Sequence, residues 1–322
     1  MNLIIPVAGE GTRLRPHTHT IPKSLLYVAG KPILGHILDN FRNLPIEKLV
    51  IVLGAKGEAI MDFCRTYPFD FKFVHQKKRL GLGHAIHLGA RGLKGPTLIL
   101  LGDTIIEYDF KALAESNENF LAVKEVPDPR RFGIVSVRKN RVIKLVEKPK
   151  NPESNLAIVG LYYFRQIEKV YKALTRIIKK GTRTKGEYQL TDALQYLLDA
   201  GEEFKILKIK KWYDCGTPLS LIQTNQHLLS KLHHYKKRKG LIVISPVYID
   251  DSAKITNSII GPHVSVGKNA VINDSIIKNS IINSMATVQN ALLSGSIIGE
   301  NAVVKGGYKK LNVSSSSVIE FP

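Results

Sequence analysis

Between Ser245 and Gly306 the chain repeats in a way that neither a helix nor an ordinary strand produces. Ile249, Ile255, Ile260, Val266, Ile272, Ile277, Ile282, Val288, Leu293, Ile298 and Val304 recur every five or six residues. Small or polar residues separate them, among them Gly261, Ser265, Gly267, Asn273, Ser275, Ser280, Ser284, Gly295 and Gly299. An amphipathic strand repeats every two residues and a helix every 3.6, so neither period matches. A chain that turns one apolar side chain inward at each of three faces does match. The pattern predicts short strands stacked coil upon coil, about three coils over some 60 residues.

This repeat resembles the hexapeptide repeat of a left-handed parallel β-helix. The expected organisation is a first domain over residues 1–230, a basic linker or helix end over 231–244, the β-helix over 245–306 and a polar tail over 307–322. The linker carries Lys236-Lys237-Arg238-Lys239 and the tail carries Ser314 to Ser317.

The first domain has a different texture. Apolar runs at Leu3–Ile5, Leu49–Leu53, Phe71–His75 and Thr97–Leu101 alternate with helical stretches at Lys31–Asn43, Glu58–Tyr67 and His84–Gly92. Such alternation implies right-handed crossovers and an α/β, Rossmann-like, mostly parallel sheet. Ligands of open sheets of this kind bind outside the carboxyl ends of the strands. Four further strands, Phe120–Val126, Gly133–Arg138, Val142–Glu147 and Ala157–Phe164, read as an antiparallel insertion that forms a lid. Helices are expected at Ile167–Lys179, Leu190–Gly201 and Pro218–Lys237, with a strand at Phe204–Lys208.

The loop after the first apolar run holds Ala8, Gly9, Gly11, Thr12 and Arg13, with Arg15 and Lys23 following. Glycines let the backbone approach an anion and adopt positive φ. Successive N–H groups in such a turn cradle phosphate, and the cations add fixed charge. A polyphosphate site is the direct reading. The dinucleotide fingerprint fails because its third glycine position is Leu14, and the P-loop pattern is absent.

The full string G-x-G-T-R-L-x-P followed by Pro22-Lys23 resembles the signature of the sugar-1-phosphate nucleotidylyltransferases. Further matches spread over most of the chain. Gln76 with Gly81-Leu82-Gly83 and Ala85 resembles a nucleobase-reading element. Leu101-Gly102-Asp103 and Trp212-Tyr213-Asp214-Cys215-Gly216-Thr217 resemble L-G-D and W-x-D-x-G-T. Val146-Glu147-Lys148-Pro149 resembles E-K-P, Phe132-Gly133-Ile134 resembles Y/F-G-V and Gly160-Leu161-Tyr162 resembles G-x-Y. For Gly186-Glu187-Tyr188-Gln189-Leu190-Thr191-Asp192, helix capping and substrate contact both stay open. His84 stands where relatives often carry another residue and reads as a packed or surface histidine.

The resemblance implies transfer of a nucleotidyl group from a nucleoside triphosphate to a sugar 1-phosphate, with release of pyrophosphate. It implies that Ala8, Gly9, Gly11, Thr12, Arg13, Gln76, Gly81 and Asp103 bind the nucleotide. Gly133, Glu147, Lys148 and Gly160 would bind the sugar phosphate, and Arg13, Lys23 and Lys148 would carry catalysis. Asp103 and Asp214 would hold one Mg2+. dTTP and glucose 1-phosphate are the expected pair. A UTP-dependent enzyme using glucose 1-phosphate or N-acetylglucosamine 1-phosphate is the alternative. In relatives that make UDP-N-acetylglucosamine the β-helix is an acetyltransferase; here 245–306 holds a single histidine, His263, and a second active site is not expected. A non-catalytic regulatory subunit of the same fold would be expected to lose one of Arg13, Lys23, Asp103, Lys148 or Asp214, and this chain keeps them all.

Composition bears on partners. Forty-seven lysines and arginines against 27 acids give a net charge of +20. Aromatics make up 7% of residues and do not interleave with the basic runs, so no nucleic-acid stacking platform is expected. Two cysteines, Cys64 and Cys215, stand far apart, which fits a reducing compartment. No apolar run approaches a membrane span. The expected location is the cytoplasm, with no membrane partner, and the chain is expected to form a homo-oligomer.

Overall fold

The computed structural model describes residues 1–232, 234–237, 239–307 and 312–318. It divides into two compact units, Met1–Tyr27 with Lys31–Leu221, and Val28–Gly30 with Ile222–Pro322.

The elements up to residue 229 are β1 (Asn2–Pro6), β2 (Tyr27–Val28), β3 (Lys31–Pro32), α1 (Ile33–Asp39), β4 (Lys48–Leu53), α2 (Gly57–Cys64), β5 (Phe71–His75) and α3 (Leu82–Ala90). There follow β6 (Thr97–Leu100), β7 (Thr104–Glu107), α4 (Phe110–Ala114), β8 (Phe120–Glu125), β9 (Gly133–Arg138), β10 (Arg141–Glu147) and β11 (Leu156–Phe164). The last are α5 (Ile167–Lys180), α6 (Leu190–Asp199), β12 (Lys205–Lys208), β13 (Lys211–Asp214) and α7 (Pro218–Leu229). Expected elements thus appear, with shifted ends. Pro32 carries extended backbone and delays α1 to Ile33, since proline fixes φ and supplies no N–H. α7 ends at Leu229, short of the basic run expected to continue it.

One nine-stranded sheet, in the order β5-β4-β1-β6-β11-β8-β12-β10-β9, forms the centre of the first unit. β5, β4, β1 and β6 are parallel, as the alternating pattern predicts. The rest corrects the expectation. β11 runs antiparallel between β6 and β8, β12 is parallel to β8, and β10 and β9 close the edge antiparallel. The sheet is mixed, and the strands expected to form an inserted lid are continuous with it. β11 explains why: Ala157 to Phe164 are all buried, and strands buried on both faces belong to the interior of a sheet. Its Gly160 has φ +81°, and a Cβ there would lie 2.7 Å from Leu101 Cδ1, so only glycine fits that bend beside the L-G-D turn.

The second unit carries β14 (Leu241–Val243), β15 (Val247–Ile249), β16 (Lys254–Thr256), β17 (Ser258–Ile260), β18 (Val264–Val266), β19 (Val271–Asn273), β20 (Ile276–Lys278), β21 (Ile281–Ile282), β22 (Thr287–Gln289), β23 (Leu292–Ser294), β24 (Ile297–Ile298) and β25 (Val303–Lys305). They form three parallel sheets of four strands: β14-β17-β20-β23, β15-β18-β21-β24 and β16-β19-β22-β25. This stacking is consistent with a β-helix. Strand β14 lies inside the stretch expected as a linker, so the repeat begins a face earlier than its sequence signal. Ile249 through Val288 of the predicted core series are buried, while Leu293, Ile298 and Val304 at the far end are partly buried against them.

The coils are shorter than three full hexads. Equivalent positions are 17 residues apart in the first coils, as in Ser258 to Ser275, and 16 apart later, as in Ser275 to Ala291. Corners absorb the shortening. Gly240, Asn257, Asp274 and Asn290 share one corner column, and all have positive φ. His263, Asn279 and Gly295 form a second column and Asn269, Met285 and Asn301 a third, again at positive φ. Asn and Asp tolerate that region better than other non-glycine residues. His263 is therefore a corner residue.

Candidate active site

A cleft of about 910 Å3 opens at the carboxyl ends of β1 and β6. Ala8 and Gly9 line it after β1, Gln76 and Gly81 after β5, Gly102 and Asp103 after β6, with Lys23, Ser24 and Glu187. Of the residues expected to bind the nucleotide, Ala8, Gly9, Gln76, Gly81 and Asp103 lie on this wall, together with Lys23, expected to carry catalysis. Gly11 and Thr12 do not. Gly11, at φ +66°, is packed so closely that an added Cβ would stand 2.9 Å from Thr18 Cγ2 and 3.0 Å from Lys23 Cβ. Its work is to turn the loop so that Lys23 lies beneath it.

Lys23 is nearly buried and its Nζ lies 2.5 Å from Asp103 Oδ2. Burial pushes the Asp103 carboxyl up, but the Lys23 charge and hydrogen bond, the Thr104 hydroxyl and Arg13 outweigh it and hold it below the ordinary carboxylate range. Asp214 arrives on a short antiparallel ladder. β13 pairs with β7 so that Asp214 stands opposite Thr104, and the Cys215 N–H donates to the Asp103 carbonyl at 3.0 Å. Residues 111 positions apart in sequence thereby become neighbours. The Asp214 carboxyl is raised, first by burial and then by the Asp103 charge, against the pull of Lys23, Arg13 and Arg131.

Arg13 is absent from the cleft wall, and its charge acts on both carboxylates instead. A Cβ placed on Gly216 would lie 2.8 Å from Asp214 Oδ1 and 2.9 Å from Arg13 Nη2. Gly216 thus leaves the gap through which Arg13 approaches Asp214.

Glu147 and Lys148 form a second cluster. Thr191 Oγ1 donates to Glu147 Oε2 at 2.7 Å, and Lys148 Nζ stands 3.2 Å from Glu147 Oε1. A Cβ on Gly133 would lie 3.0 Å from Glu147 Oε2, so the missing side chain leaves room for that nearly buried carboxylate. Lys148 has φ +42°, and its N–H donates to the Phe132 carbonyl at 3.0 Å. Asp192 is raised by burial, and in lesser part by Glu147. Among the described residues Ser24 Oγ in the cleft and Asp192 Oδ2 beside Glu147 are buried polar atoms with no partner. Gly160 packs on Leu101, as above, and forms no part of this cluster's polar contacts.

Several residues were missed. Thr191, in the G-E-x-x-x-T-D stretch read for helix capping or substrate contact, instead orients Glu147. Arg131 acts on Asp214, although its Arg130-Arg131 run reads as surface charge. Glu10 bridges Arg79 and Arg15 beside the glycine loop. Arg131 and Glu10 had no sequence signal beyond proximity to a motif, and the motif holding Thr191 did not point to Glu147.

The profile of the Nucleotidyl transferase family matches residues 2–231. The chain belongs to that family. Family members among its relatives are the Bifunctional protein GlmU of Methanococcus maripaludis strain S2, 34% identical over 86% of this chain, and that of Methanocaldococcus jannaschii, 33% identical over 94%. The chain spans 61% of the former's length and 78% of the latter's. A Glucose-1-phosphate thymidylyltransferase of Streptomyces griseus is 30% identical, with 94% of this chain and 93% of that one covered. Among solved structures, a UDP-glucose pyrophosphorylase complexed with UDP-glucose superposes with a TM-score of 0.62 at 25% identity, over 71% of this chain and 98% of the other. Among the described residues no helix is long and apolar enough to cross a membrane.

Proposed function

We propose that the chain joins a pyrimidine nucleoside triphosphate to a sugar 1-phosphate, giving a nucleoside diphosphate sugar and pyrophosphate. The observation that carries this reading is the meeting of Arg13, Lys23, Asp103 and Asp214 at the strand ends, beside a cleft of about 910 Å3 with Gln76 on its wall. dTTP with glucose 1-phosphate is the first pair to test. UTP with N-acetylglucosamine 1-phosphate or glucose 1-phosphate is a second reading, favoured by the GlmU relatives.

Gln76 and Gly81 would hold the base, Ala8 and Gly9 would bring backbone N–H groups to the phosphates, and Gly11 and Thr12 would shape the loop that presents them. Glu147 would accept from sugar hydroxyls, with Gly133 leaving room for the ring and Gly160 shaping the floor through Leu101. Lys148 would hold the attacking phosphate. An oxygen of that phosphate attacks the α-phosphorus, and the bond from that phosphorus to the departing pyrophosphate oxygen breaks. The attacking oxygen is already ionised, so no general base is required. Arg13 and Lys23 would neutralise charge growing on the α-phosphate and the leaving group, which is the main catalytic work in phosphoryl chemistry.

Asp103 and Asp214 suit a divalent cation. They are two adjacent carboxylates, one of them raised by the other, and Mg2+ is held by one or two carboxylates together with substrate phosphates. Bound there, Mg2+ would supply charge neutralisation between the two phosphate groups. A homo-oligomer is part of this reading. Its support is a register column of outward apolar residues on one coil face, Ile242, Ile259, Ile276 and Leu292, with Leu292 80% exposed in the single chain. A left-handed coil sense is likewise proposed, supported by the hexapeptide-like spacing.

Pyrophosphate release, measured across nucleoside triphosphates and sugar 1-phosphates with Mg2+, tests the proposal. Release with no pair refutes it, and release with UTP alone refutes the thymidylyl preference.

A further inference from the structure

Glu10 stands between Gly9 and Gly11, in the turn proposed to take phosphate. The turn is open at Gly9, where an added Cβ would meet nothing within 4 Å. A carboxylate in that place repels a polyphosphate. Two arginines offset it. Arg79 Nη1 pairs with Glu10 Oε1, and Arg15 Nη2 lies 3.6 Å from Glu10 Oε2. Glu10 and Arg79 line the large cleft and also a pocket of about 240 Å3 that shares the glycine loop with it, where Arg15 and Lys56 add charge. Lys56 donates to the Thr18 and His19 carbonyls, so the two arginines are the cations gathered on Glu10. Glu10 is the one acid among the residues lining that pocket, and the trio keeps one surplus positive charge. A guanidinium offers five N–H donors in a planar fork that fits a carboxylate and a phosphate alike. About half of each of the three side chains is exposed, so these ion pairs are weak and exchange readily.

We infer that Arg79 and Arg15 hold the terminal phosphates of the triphosphate, and that Glu10 competes for them and so sets how readily pyrophosphate leaves. Without ligand the guanidinium groups rest on Glu10. With the triphosphate bound they turn to the β- and γ-phosphate oxygens. Once the bond from the α-phosphorus to the leaving oxygen has broken, Glu10 takes the arginines back as pyrophosphate departs. An anion in a phosphate loop thus serves release of the product.

This inference rests on the assignment of the glycine loop to the triphosphate proposed above. Calorimetric titration, with Mg2+ and without sugar phosphate, gives the Kd of pyrophosphate and of the monophosphates UMP and dTMP, which lack the terminal phosphates. Wild type, Glu10→Gln, Arg79→Gln and Asp70→Asn are compared. Asp70, exposed just before β5 and so at the far end of that strand from Gln76, controls for a change in overall charge. Glutamine at position 10 keeps the size and loses the competing charge, so Glu10→Gln binds pyrophosphate about 5- to 10-fold more tightly. Arg79→Gln binds it about 10-fold more weakly. The monophosphate Kd values stay within about twofold in both, as for loss of a contact confined to the terminal phosphates. Asp70→Asn matches wild type with every ligand. In turnover the Ki of pyrophosphate as product inhibitor follows its Kd, while KM for the sugar 1-phosphate does not move. Should Glu10→Gln not fold, Glu10→Ala, which also removes the charge, carries the same expectation. Unchanged or weaker pyrophosphate binding in the variant without the charge, an equal change for the monophosphates, the same tightening in Asp70→Asn, or a wild type that binds no pyrophosphate overturns the inference. Wild type that binds pyrophosphate but releases none with any substrate pair refutes the catalytic reading instead, and the Kd values still decide the role of Glu10.

Discussion

Replacing Lys23 by methionine separates two roles that one ammonium group combines. Its Nζ sits 2.5 Å from Asp103 Oδ2, with the lysine side chain 10% exposed and the aspartate 35%. Removing one partner of a fully buried pair costs about 3–5 kcal/mol. An exposed pair is worth about 0–1 kcal/mol. The open side of Asp103 places this pair between the two, and screening through the cleft brings the expected loss to about 1–2 kcal/mol. The pH dependence has a definite sign. Asp103 is held below its unfolded pKa, so its contribution is present above about pH 4 and fades as pH falls through the lowered native value. Lys23→Met therefore melts below wild type at pH 7, and the difference closes on acidification. Urea unfolding of wild type, Lys23→Met, Asp103→Asn and the double variant measures the coupling. A coupling of zero at pH 7, or one that persists undiminished below the native pKa of Asp103, refutes the reasoning.

Arg13→Ala should cut turnover by about 100-fold or more while leaving the Kd of the sugar phosphate within a few-fold, as for loss of a transition-state charge contact; equal losses in both count against the role. Asp214→Asn should abolish turnover yet raise Tm at pH 7. The raised Asp214 carboxyl favours the fold while protonated, and that benefit disappears as pH rises through its native pKa, so removing the charge relieves the native state; a lower Tm in the variant contradicts this. Gly133→Ala should raise KM for the sugar phosphate several-fold with little change in KM for the nucleotide, because its Cβ would crowd Glu147 Oε2 at 3.0 Å. Burial pushes the Cys64 thiol up to about 12, so a thiol reagent at pH 8 should label it only at the rate of unfolding.

The coil repeat was legible because its inward positions are almost uniformly Ile or Val, and a one-residue slip would put them in water. Its coil length was not, because 16- and 17-residue coils differ from hexads only at corners. There Asn257, Asp274 and Asn290 read as ordinary polar spacers until their positive φ is seen. The parallel half of the nine-stranded sheet followed from β–α alternation. The other half did not, since strand composition says nothing about which neighbour a strand chooses, and β11 joins two halves that look separate in sequence. The site's backbone and ionic residues came from motifs. Thr191 and Arg131 act by touching or charging a motif residue distant in sequence, which no motif announces.

The β7–β13 ladder has a consequence for how the protein is made. β1, with its glycine loop, is synthesised before the other elements of its unit, and Asp103 follows about a hundred residues later. Asp214 comes only on the last strand of its unit, after α6 and β12. In a growing chain the glycine loop and Asp103 are therefore present well before Asp214 can join them. The acidic pair, formed across so long a separation, is among the last contacts to close. Fragments ending before Lys211 should retain the glycine loop and Gln76 yet lack the charge arrangement proposed to act on the triphosphate. Synthesis order thus keeps the two carboxylates apart until nearly all of the surrounding strands have been made.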